Sequence, residues 1–289
     1  MVSWRQLLAG AVDALDGAGV PAPATDARRV VERASGLEGA ELALHLGQEA
    51  TGRAVAHLDA MVARRVAGEP LQYVVGAWGF RTLDLLVDRR ALIPRPETEQ
   101  VVERALAELD RRAGEEPRLV ADLGTGSGAI ALSVAKERLR SEVWAADVSA
   151  PALAVARANL VALGRPAARV RLVEGDWFDA LPAGLAGRLD LVVSNPPYVA
   201  EGDELPAEVA CWEPAGALVA GPTGREALEH LVAEAPGWLA HTGSLVLELA
   251  PHQAEAVRAA ARAAGFAETA VYPDLAGRDR VLVARSPGP

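Results

Sequence analysis

From Arg118 onward the sequence alternates between short apolar runs and longer segments with helical spacing of apolar residues. This alternation is typical of a largely parallel sheet covered by helices on both faces. The predicted strands are 118–123, 142–147, 169–174, 188–194, 244–249, 267–272 and 280–284, and the predicted helices are 129–138, 150–163, 224–240 and 251–264. Because the last connection is too short for a crossover helix, we expect the final two strands to be antiparallel. The pattern predicts an α/β fold.

Residues 1–70 carry helical patterns without intervening strands. We expect four helical elements, the second capped by Thr25 and Asp26 and ended by Gly36. Several arginines of this region are expected on solvated helix faces: Arg28, Arg29, Arg64 and Arg65. The region is interpreted either as a scaffold or as a small domain that docks a partner.

Residues 71–93 differ from both neighbouring regions. Glycines followed by alternating apolar residues predict a short β-hairpin that links two domains. In the next segment, Pro94–Glu97, the prolines either stiffen the domain junction or line the active site. Pro96 suits the first turn of a helix that reaches about Arg112. We therefore divide the chain into a helical domain (1–70), a linker (71–93) and an α/β domain (94–289).

The net charge of the chain is −10, and Cys211 is its single cysteine. Proteins that bind nucleic acid through phosphates present a basic face, and no such face is evident here. One cysteine excludes an internal disulfide and suits a reducing compartment. The N-terminus lacks the pattern of a signal peptide, and no apolar run reaches the roughly 20 residues that span a membrane. We expect a cytoplasmic monomer without direct contacts to nucleic acid or membrane.

A glycine-rich loop follows the first predicted strand and opens a helix. Its residues are Gly124, Thr125, Gly126, Ser127 and Gly128. Glycines let the backbone approach a ligand closely, and a helix N-terminus offers free N–H groups. Asp147 ends the next strand, where a carboxylate can accept hydrogen bonds from both hydroxyls of a ribose. The segment predicts a nucleoside cofactor, although the glycine spacing also fits a dinucleotide fingerprint.

The tetrapeptide Asn195-Pro196-Pro197-Tyr198 follows an apolar strand directly. Open α/β sheets bind ligands at this edge. The Asn195 side-chain oxygen and the Pro196 carbonyl can accept hydrogen bonds from a planar N–H group, and Pro197 fixes the direction of that carbonyl. The Tyr198 ring can cover the planar group. This arrangement favours methyl transfer to a planar nitrogen over hydride transfer.

These motifs resemble the S-adenosylmethionine-dependent N5-glutamine methyltransferases, and more specifically those that modify bacterial peptide chain release factors. The resemblance rests on the tetrapeptide, the segment Asp122–Gly128 that contains the glycine loop, and Asp147, and on three further segments. Those segments are Gly175-Asp176-Trp177-Phe178, Leu92-Ile93-Pro94-Arg95-Pro96-Glu97-Thr98-Glu99 and Asp274-Leu275-Ala276-Gly277-Arg278-Asp279-Arg280. It covers nearly the whole chain, including the helical N-terminal domain.

The resemblance implies a seven-stranded, Rossmann-like class I methyltransferase sheet whose last strand is antiparallel. It implies that the loop Gly124–Gly128 holds the methionine part of S-adenosylmethionine, that Asp147 binds its ribose and that Trp177 lies against its adenine. Asn195 would lie next to the cofactor and, with Pro196, Pro197 and Tyr198, would hold the substrate amide. The implied substrate is the glutamine of the Gly-Gly-Gln motif in class 1 release factors.

Several alternatives stay open at this point. A related enzyme would methylate a glutamine of a ribosomal protein, an adenine N6-methyltransferase would act on nucleic acid, and an inactive relative would only bind the cofactor. Trp177 could also be an aromatic residue at the edge of the core. We expect His252 and Gln253 to cap a helix or lie on the surface. The five histidines lack metal-ligand spacing, so no metal is expected.

Overall fold

The structure, a computed structural model, describes residues 2–111 and 116–287. The chain forms two compact units, Met1–Ala77 with Pro206–Trp212, and Trp78–Leu205 with Glu213–Pro289. The second unit is built on a seven-stranded sheet. Its strands are β3 (Arg118–Leu123), β4 (Ser141–Asp147), β5 (Val170–Glu174), β6 (Leu189–Ser194), β9 (Leu239–Glu248), β10 (Glu268–Pro273) and β11 (Asp279–Arg285). Their order across the sheet is β5-β4-β3-β6-β9-β11-β10.

The pairing of these strands confirms the predicted α/β fold. Strands β3 to β6 and β9 are parallel to their neighbours in this group, whereas β11 runs antiparallel to both β9 and β10. The short loop after β10 therefore forms the antiparallel turn that its length predicts. Strand β9 starts at Leu239, earlier than predicted, where its pairing with β6 is irregular.

Helices cover both faces of the sheet. They are α6 (Thr98–Asp110), α7 (Ala129–Glu137), α8 (Ala150–Ala162), α10 (Glu226–Trp238) and α11 (Ala254–Ala263). Helices α10 and α11 bury Leu228 and Val257 in one core with Leu123, Phe178 and Leu247. Helix α6 begins two residues after Pro96, so Pro96 precedes the helix, and the predicted end at Arg112 lies outside the described residues.

The first unit is helical. It contains α1 (Trp4–Gly17), α2 (Pro23–Ser35), α3 (Gly39–His45), α4 (Gly52–Val66), α5 (Leu71–Val75) and α9 (Ala207–Trp212). Trp4, Val30, Leu58 and Met61 form its main core. Helix α2 begins at Pro23 and has no side-chain cap, so the predicted capping by Thr25 and Asp26 is wrong, although Gly36 ends the helix as expected.

Arg65 corrects a second expectation for this unit. Its side chain is 9% exposed, and its guanidinium pairs with Asp26 at 2.8 Å and with Glu208 at 2.9 Å. The prediction of a solvated position is therefore wrong for Arg65, while Arg28, Arg29 and Arg64 are largely exposed. Sequence spacing did not reveal this burial because both partners come from other helices. The Glu208 contact joins α9 to α4.

The predicted linker 71–93 contains more than a hairpin. It begins with α5 and continues with the paired strands β1 (Ala77–Phe80) and β2 (Leu83–Leu86). Asn159 of α8 accepts a hydrogen bond from the Leu86 N–H at 2.7 Å and donates to the carbonyls of Leu86 and Ser127. The hairpin and the glycine loop are therefore joined through one buried amide. A further small parallel sheet pairs β7 (Val199–Ala200) with β8 (Val219–Gly221).

Candidate active site

The carboxyl ends of the parallel strands β3, β4, β6 and β9 meet at one edge of the sheet. A cavity of about 300 Å³ lies there. The predicted site residues that line it are Gly124, Gly126, Asp147, Trp177, Asn195 and Pro197. Other parts of its wall come from residues 90–92 and from Pro214, Gly216 and Ala217. The structure thus brings part of the predicted loop, the carboxylate and part of the tetrapeptide to one cavity, whereas Pro196 and Tyr198 do not line it.

The glycine loop is shaped by backbone hydrogen bonds to the end of β4. The N–H groups of Gly124 and Thr125 both donate to the Ala146 carbonyl at 2.9 Å. Gly124 has a φ of +72°, and a Cβ there would lie 3.4 Å from the Trp177 ring. A side chain at this position would therefore be strained and would crowd the aromatic wall of the cavity.

The other predicted loop residues are not among those that line the cavity. Thr125 and Ser127 are buried, and the Thr125 hydroxyl donates to Asp122 at 2.6 Å. The Ser127 carbonyl accepts the Asn159 amide at 2.9 Å, and Gly128 precedes the first residue of α7. In this structure their contacts hold the shape of the loop.

Asp147 is held by two backbone donors. Its Oδ1 accepts the Ser149 N–H and its Oδ2 accepts the Gly126 N–H, each at 2.8 Å. A carboxylate offers about four lone-pair positions, so acceptor capacity remains on both oxygens. Burial raises the pKa of Asp147 above its ordinary value, although the two N–H donors oppose that shift.

Asp122 was not predicted as a site residue, although it is the second-to-last residue of β3, two positions before Gly124. Its Oδ2 accepts the Thr125 hydroxyl and the Ala131 N–H. Its Oδ1 is buried and has no hydrogen-bond partner within the ranges 2–111 and 116–287. Burial, assisted by the charge of Asp147, raises the pKa of Asp122 to about 7. A positively charged ligand nearby would favour its ionised form.

The tetrapeptide is anchored by residues from distant parts of the sequence. The Asn195 Nδ2 donates to the Thr98 hydroxyl at 3.1 Å, and that hydroxyl donates to Glu248 at 2.7 Å. The Tyr198 hydroxyl also donates to Glu248, at 3.3 Å. Pro196 is buried, whereas Asn195, Pro197 and Tyr198 are partly exposed. Thr98 and Glu248 were not predicted as site residues.

Gln253 supports the backbone of the tetrapeptide. Its side chain accepts the Ala250 N–H and so caps the turn, which was one of its two expected roles. The residue is buried, so the other expected role, a surface position, does not apply to it. Its amide donates to the carbonyls of Tyr198 and Gly224, each at 2.9 Å. A Cβ at Gly224 would lie 2.7 Å from the Tyr198 carbonyl oxygen, so only glycine allows this close approach.

Glu213 joins the two segments that complete the cavity wall. It accepts a hydrogen bond from the Ile93 N–H at 3.2 Å and pairs with the Arg95 guanidinium. Leu92 lines the cavity, whereas Pro94 is buried and Pro96 is exposed. The proline segment is thus tied to the loop that contains Pro214.

Comparison with known proteins adds family evidence to this geometry. Residues 6–76 match the family model "PrmC N-terminal domain", and residues 104–211 match "Methyltransferase small domain". A protein of Cereibacter sphaeroides named Release factor glutamine methyltransferase is 42% identical over 286 residues, which cover 97% of each chain. A protein of the same name from Deinococcus radiodurans is 41% identical and covers 98% of this chain and 99% of its own.

The chain belongs to the release factor glutamine methyltransferase family. Enzymes of this family are S-adenosylmethionine-dependent methyltransferases, and this chain is one of them. The solved structure of a methyltransferase from Pyrococcus furiosus has the same fold, with a TM-score of 0.51 at 18% identity. The match covers 78% of this chain and 97% of that chain.

In the described part of the chain, no group of three His, Cys, Asp or Glu side chains could hold a metal ion. No helix among the described residues has the length and apolar character needed to cross a bilayer.

Proposed function

We propose that this chain transfers a methyl group from S-adenosylmethionine to the side-chain amide nitrogen (N5) of the glutamine in the Gly-Gly-Gln motif of class 1 peptide chain release factors. The observation that carries the proposal is an Asn-Pro-Pro-Tyr segment at a cofactor-sized cavity in a member of this family. The modification supports peptidyl-tRNA hydrolysis at translation termination. The enzyme would act in the cytoplasm as a monomer, without direct contact to nucleic acid.

The carboxylate groups in and near the cavity fit a positively charged nucleoside cofactor. Asp147 retains lone pairs for two hydroxyls, and the buried Asp122 Oδ1 has no partner in the described part of the chain. When bound, S-adenosylmethionine supplies a methyl group on a cationic sulfur that is open to in-line displacement. We assign the loop Gly124–Gly128 to its methionine part, Asp147 to its ribose and Trp177 to its adenine.

The tetrapeptide would hold the substrate amide. An amide nitrogen is a poor nucleophile because its lone pair is delocalised, so its alignment with the methyl carbon matters most. Asn195 Oδ1 and the Pro196 carbonyl would accept its two N–H groups, Pro197 would fix that carbonyl, and the Tyr198 ring would cover the amide plane. Such positioning can lower a barrier by roughly 7–11 kcal/mol, whereas each neutral hydrogen bond contributes about 1 kcal/mol.

Removal of the proton from the nitrogen would need little help from the protein in this mechanism. The nitrogen becomes acidic once the methyl group is attached, so it can lose its proton after the displacement. No strong base is therefore required among the cavity residues. This expectation agrees with the neutral acceptors that Asn195 and Pro196 offer.

Transfer of labelled methyl groups to a purified class 1 release factor tests the proposal. A release factor whose Gly-Gly-Gln glutamine is replaced serves as the matched substrate, and Asn195→Ala serves as the matched enzyme. We expect label only with the normal substrate and the normal enzyme, while Asn195→Ala still binds the cofactor within a few-fold. Label on the replaced substrate would refute the target residue, label on neither would refute the substrate, and near-normal turnover by Asn195→Ala would refute its role.

A further inference from the structure

Two buried residues outside the cavity wall form a series of hydrogen bonds that leads to the tetrapeptide. Thr98 begins α6 and is 3% exposed, and Glu248 ends β9 and is 1% exposed. Glu248 accepts the Thr98 hydroxyl at 2.7 Å, and the Thr98 hydroxyl accepts the Asn195 Nδ2 at 3.1 Å. A carboxylate, a hydroxyl and an amide thus form one chain of hydrogen bonds that ends at the cavity.

The hydrogens in this chain can be placed by counting. A threonine hydroxyl has one proton and two lone pairs. Each oxygen of Glu248 accepts a hydroxyl, one from Thr98 and the other from Tyr198, so the single Thr98 proton points to Glu248 and the hydroxyl can only accept from Asn195. The amide group of Asn195 must therefore turn its NH₂ towards Thr98.

This constraint decides which atom Asn195 offers to a ligand. The oxygen and nitrogen of a carboxamide exchange places by a rotation of 180° and have nearly the same shape. With Nδ2 bound to Thr98, Oδ1 is the atom left for the cavity. In the opposite orientation the cavity would receive an N–H donor, which repels the N–H groups of a substrate amide and attracts its carbonyl oxygen.

Glu248 also contacts the other end of the tetrapeptide. Its second oxygen accepts the Tyr198 hydroxyl at 3.3 Å. Arg280, which donates to the neighbouring Leu249 carbonyl, provides positive charge nearby. One buried carboxylate therefore orients both the amide and the aromatic ring that flank the two prolines.

We infer that Thr98 and Glu248 are positioning residues that hold Asn195 in the orientation in which its oxygen faces the substrate nitrogen. This inference rests on the proposed function, because it assumes that Asn195 accepts an N–H of the substrate. It adds a source of specificity: the pair makes the site select the nitrogen of the amide rather than its oxygen.

Two substitutions at Thr98 separate this role from simple packing. Thr98→Val keeps the shape but removes the hydroxyl, whereas Thr98→Ser keeps the hydroxyl but removes a methyl group. A positioning role predicts that Thr98→Val lowers kcat about 10- to 100-fold, as misaligned groups do, while Thr98→Ser stays within about threefold. A packing role predicts the opposite order, with valine tolerated and serine impaired.

The measurements are kcat and KM for the release factor, cofactor affinity by calorimetry, and thermal unfolding. We expect the loss in Thr98→Val to appear in kcat, with cofactor affinity within a few-fold of the parent enzyme. Because valine removes one of the two hydroxyl donors to Glu248, Thr98→Val/Glu248→Gln provides a second variant without a buried carboxyl group at this position. It should fold and should still show the loss in kcat.

Each outcome decides between the two proposals. If the parent enzyme does not methylate the release factor, the proposed function fails and the inference falls with it. If the parent is active but Thr98→Val or the double variant turns over normally, only the inference is refuted. Equal impairment of Thr98→Val and Thr98→Ser would refute it as well, since the serine hydroxyl should rescue the orientation of Asn195.

Discussion

Helix α6 carries one buried polar cluster at each end, and the two clusters treat their carboxylates in opposite ways. At its start, Thr98 contacts Glu248, and burial raises the pKa of that carboxyl against the opposing effects of Thr98 and Arg280. Near its end lies Glu108. Burial alone would raise the pKa of Glu108, but hydrogen bonds from Arg285, Ser244 and Arg111 lower it to about 2.

The same strand meets both clusters. Ser244 contacts Glu108 and lies near the middle of β9, whereas Glu248 ends that strand beside the tetrapeptide. Glu108 receives two guanidinium groups, whereas within residues 2–111 and 116–287 the hydrogen-bond donors to Asp147 in the cavity wall and to the nearby Asp122 are hydroxyl and backbone groups. The two regions therefore serve different purposes. Ion pairs stabilise the region around Glu108, whereas the cavity end of the sheet keeps carboxylates available for ligands at a cost in stability.

The largest expected effect is at the ion-paired end. Glu108→Ala would remove the buried partner of Arg285, which keeps only its exposed partner Glu268 among the described residues, and should lower the free energy of unfolding by about 3 kcal/mol. Denaturant titration measures this loss, and cofactor affinity at 25 °C should not change. Glu142→Ala is the matched control, because its pair with Arg171 is exposed and should contribute less than about 1 kcal/mol. Equal losses in both variants would contradict the comparison.

The next largest effect is expected at the cavity, and in binding rather than in stability. Asp147→Ala removes a carboxylate that we assign to the cofactor ribose, where charge-assisted hydrogen bonds contribute about 1.5–3 kcal/mol. The dissociation constant of S-adenosylmethionine should therefore rise about 10- to 150-fold, as measured by calorimetry. The unfolding free energy should stay the same or rise, because burial raises the pKa of this carboxyl. Unchanged cofactor binding would refute the assignment.

The third expected effect is a difference in the slope of stability against pH, which is small for any one step of a pH unit. The folded-state pKa of Asp122 is about 7, whereas an unfolded aspartate titrates near about 3.9. Between these values the folded state binds more protons, so Asp122 makes stability fall as pH rises, by at most about 1.4 kcal/mol per pH unit. In Asp122→Asn this fall in stability with rising pH should be absent between about pH 5 and pH 7.

Glu108 gives the opposite sign and serves as the comparison for that experiment. Its folded-state pKa is about 2, below the unfolded value of about 4.3. The stability that it contributes is therefore present above about pH 4 and is lost as pH falls towards 2. Unfolding curves of the parent, Asp122→Asn and Glu108→Ala should thus diverge in two separate pH windows. Identical curves for the parent and Asp122→Asn would contradict the raised pKa.

The sequence predicted those features that depend on local patterns. Alternation from Arg118 onward indicated the α/β fold, and the short loop before β11 indicated the antiparallel pair. The glycine loop and Asp147 were identified from their positions at strand ends, where the structure places them at one cavity. Such features are set by neighbouring residues, so spacing alone carries the information.

Features that depend on contacts between distant residues could not be predicted. Thr98 and Glu248 are 150 residues apart and meet only because α6 crosses β9. Arg65 was expected in solvent because its charge fits a helix surface, but Asp26 and Glu208 pair with it in the fold. Gln253 has no motif of its own, and its role becomes visible only once the Tyr198 carbonyl lies beside it.

Asn159 has a practical consequence for anyone who wishes to shorten this protein. Its amide joins Leu86 of the hairpin to the Ser127 carbonyl of the glycine loop. A fragment that starts at residue 94 would contain every predicted site residue but would lack the strand that satisfies this amide. The safe place to begin such a fragment is before Trp78, so that the hairpin travels with the cofactor loop.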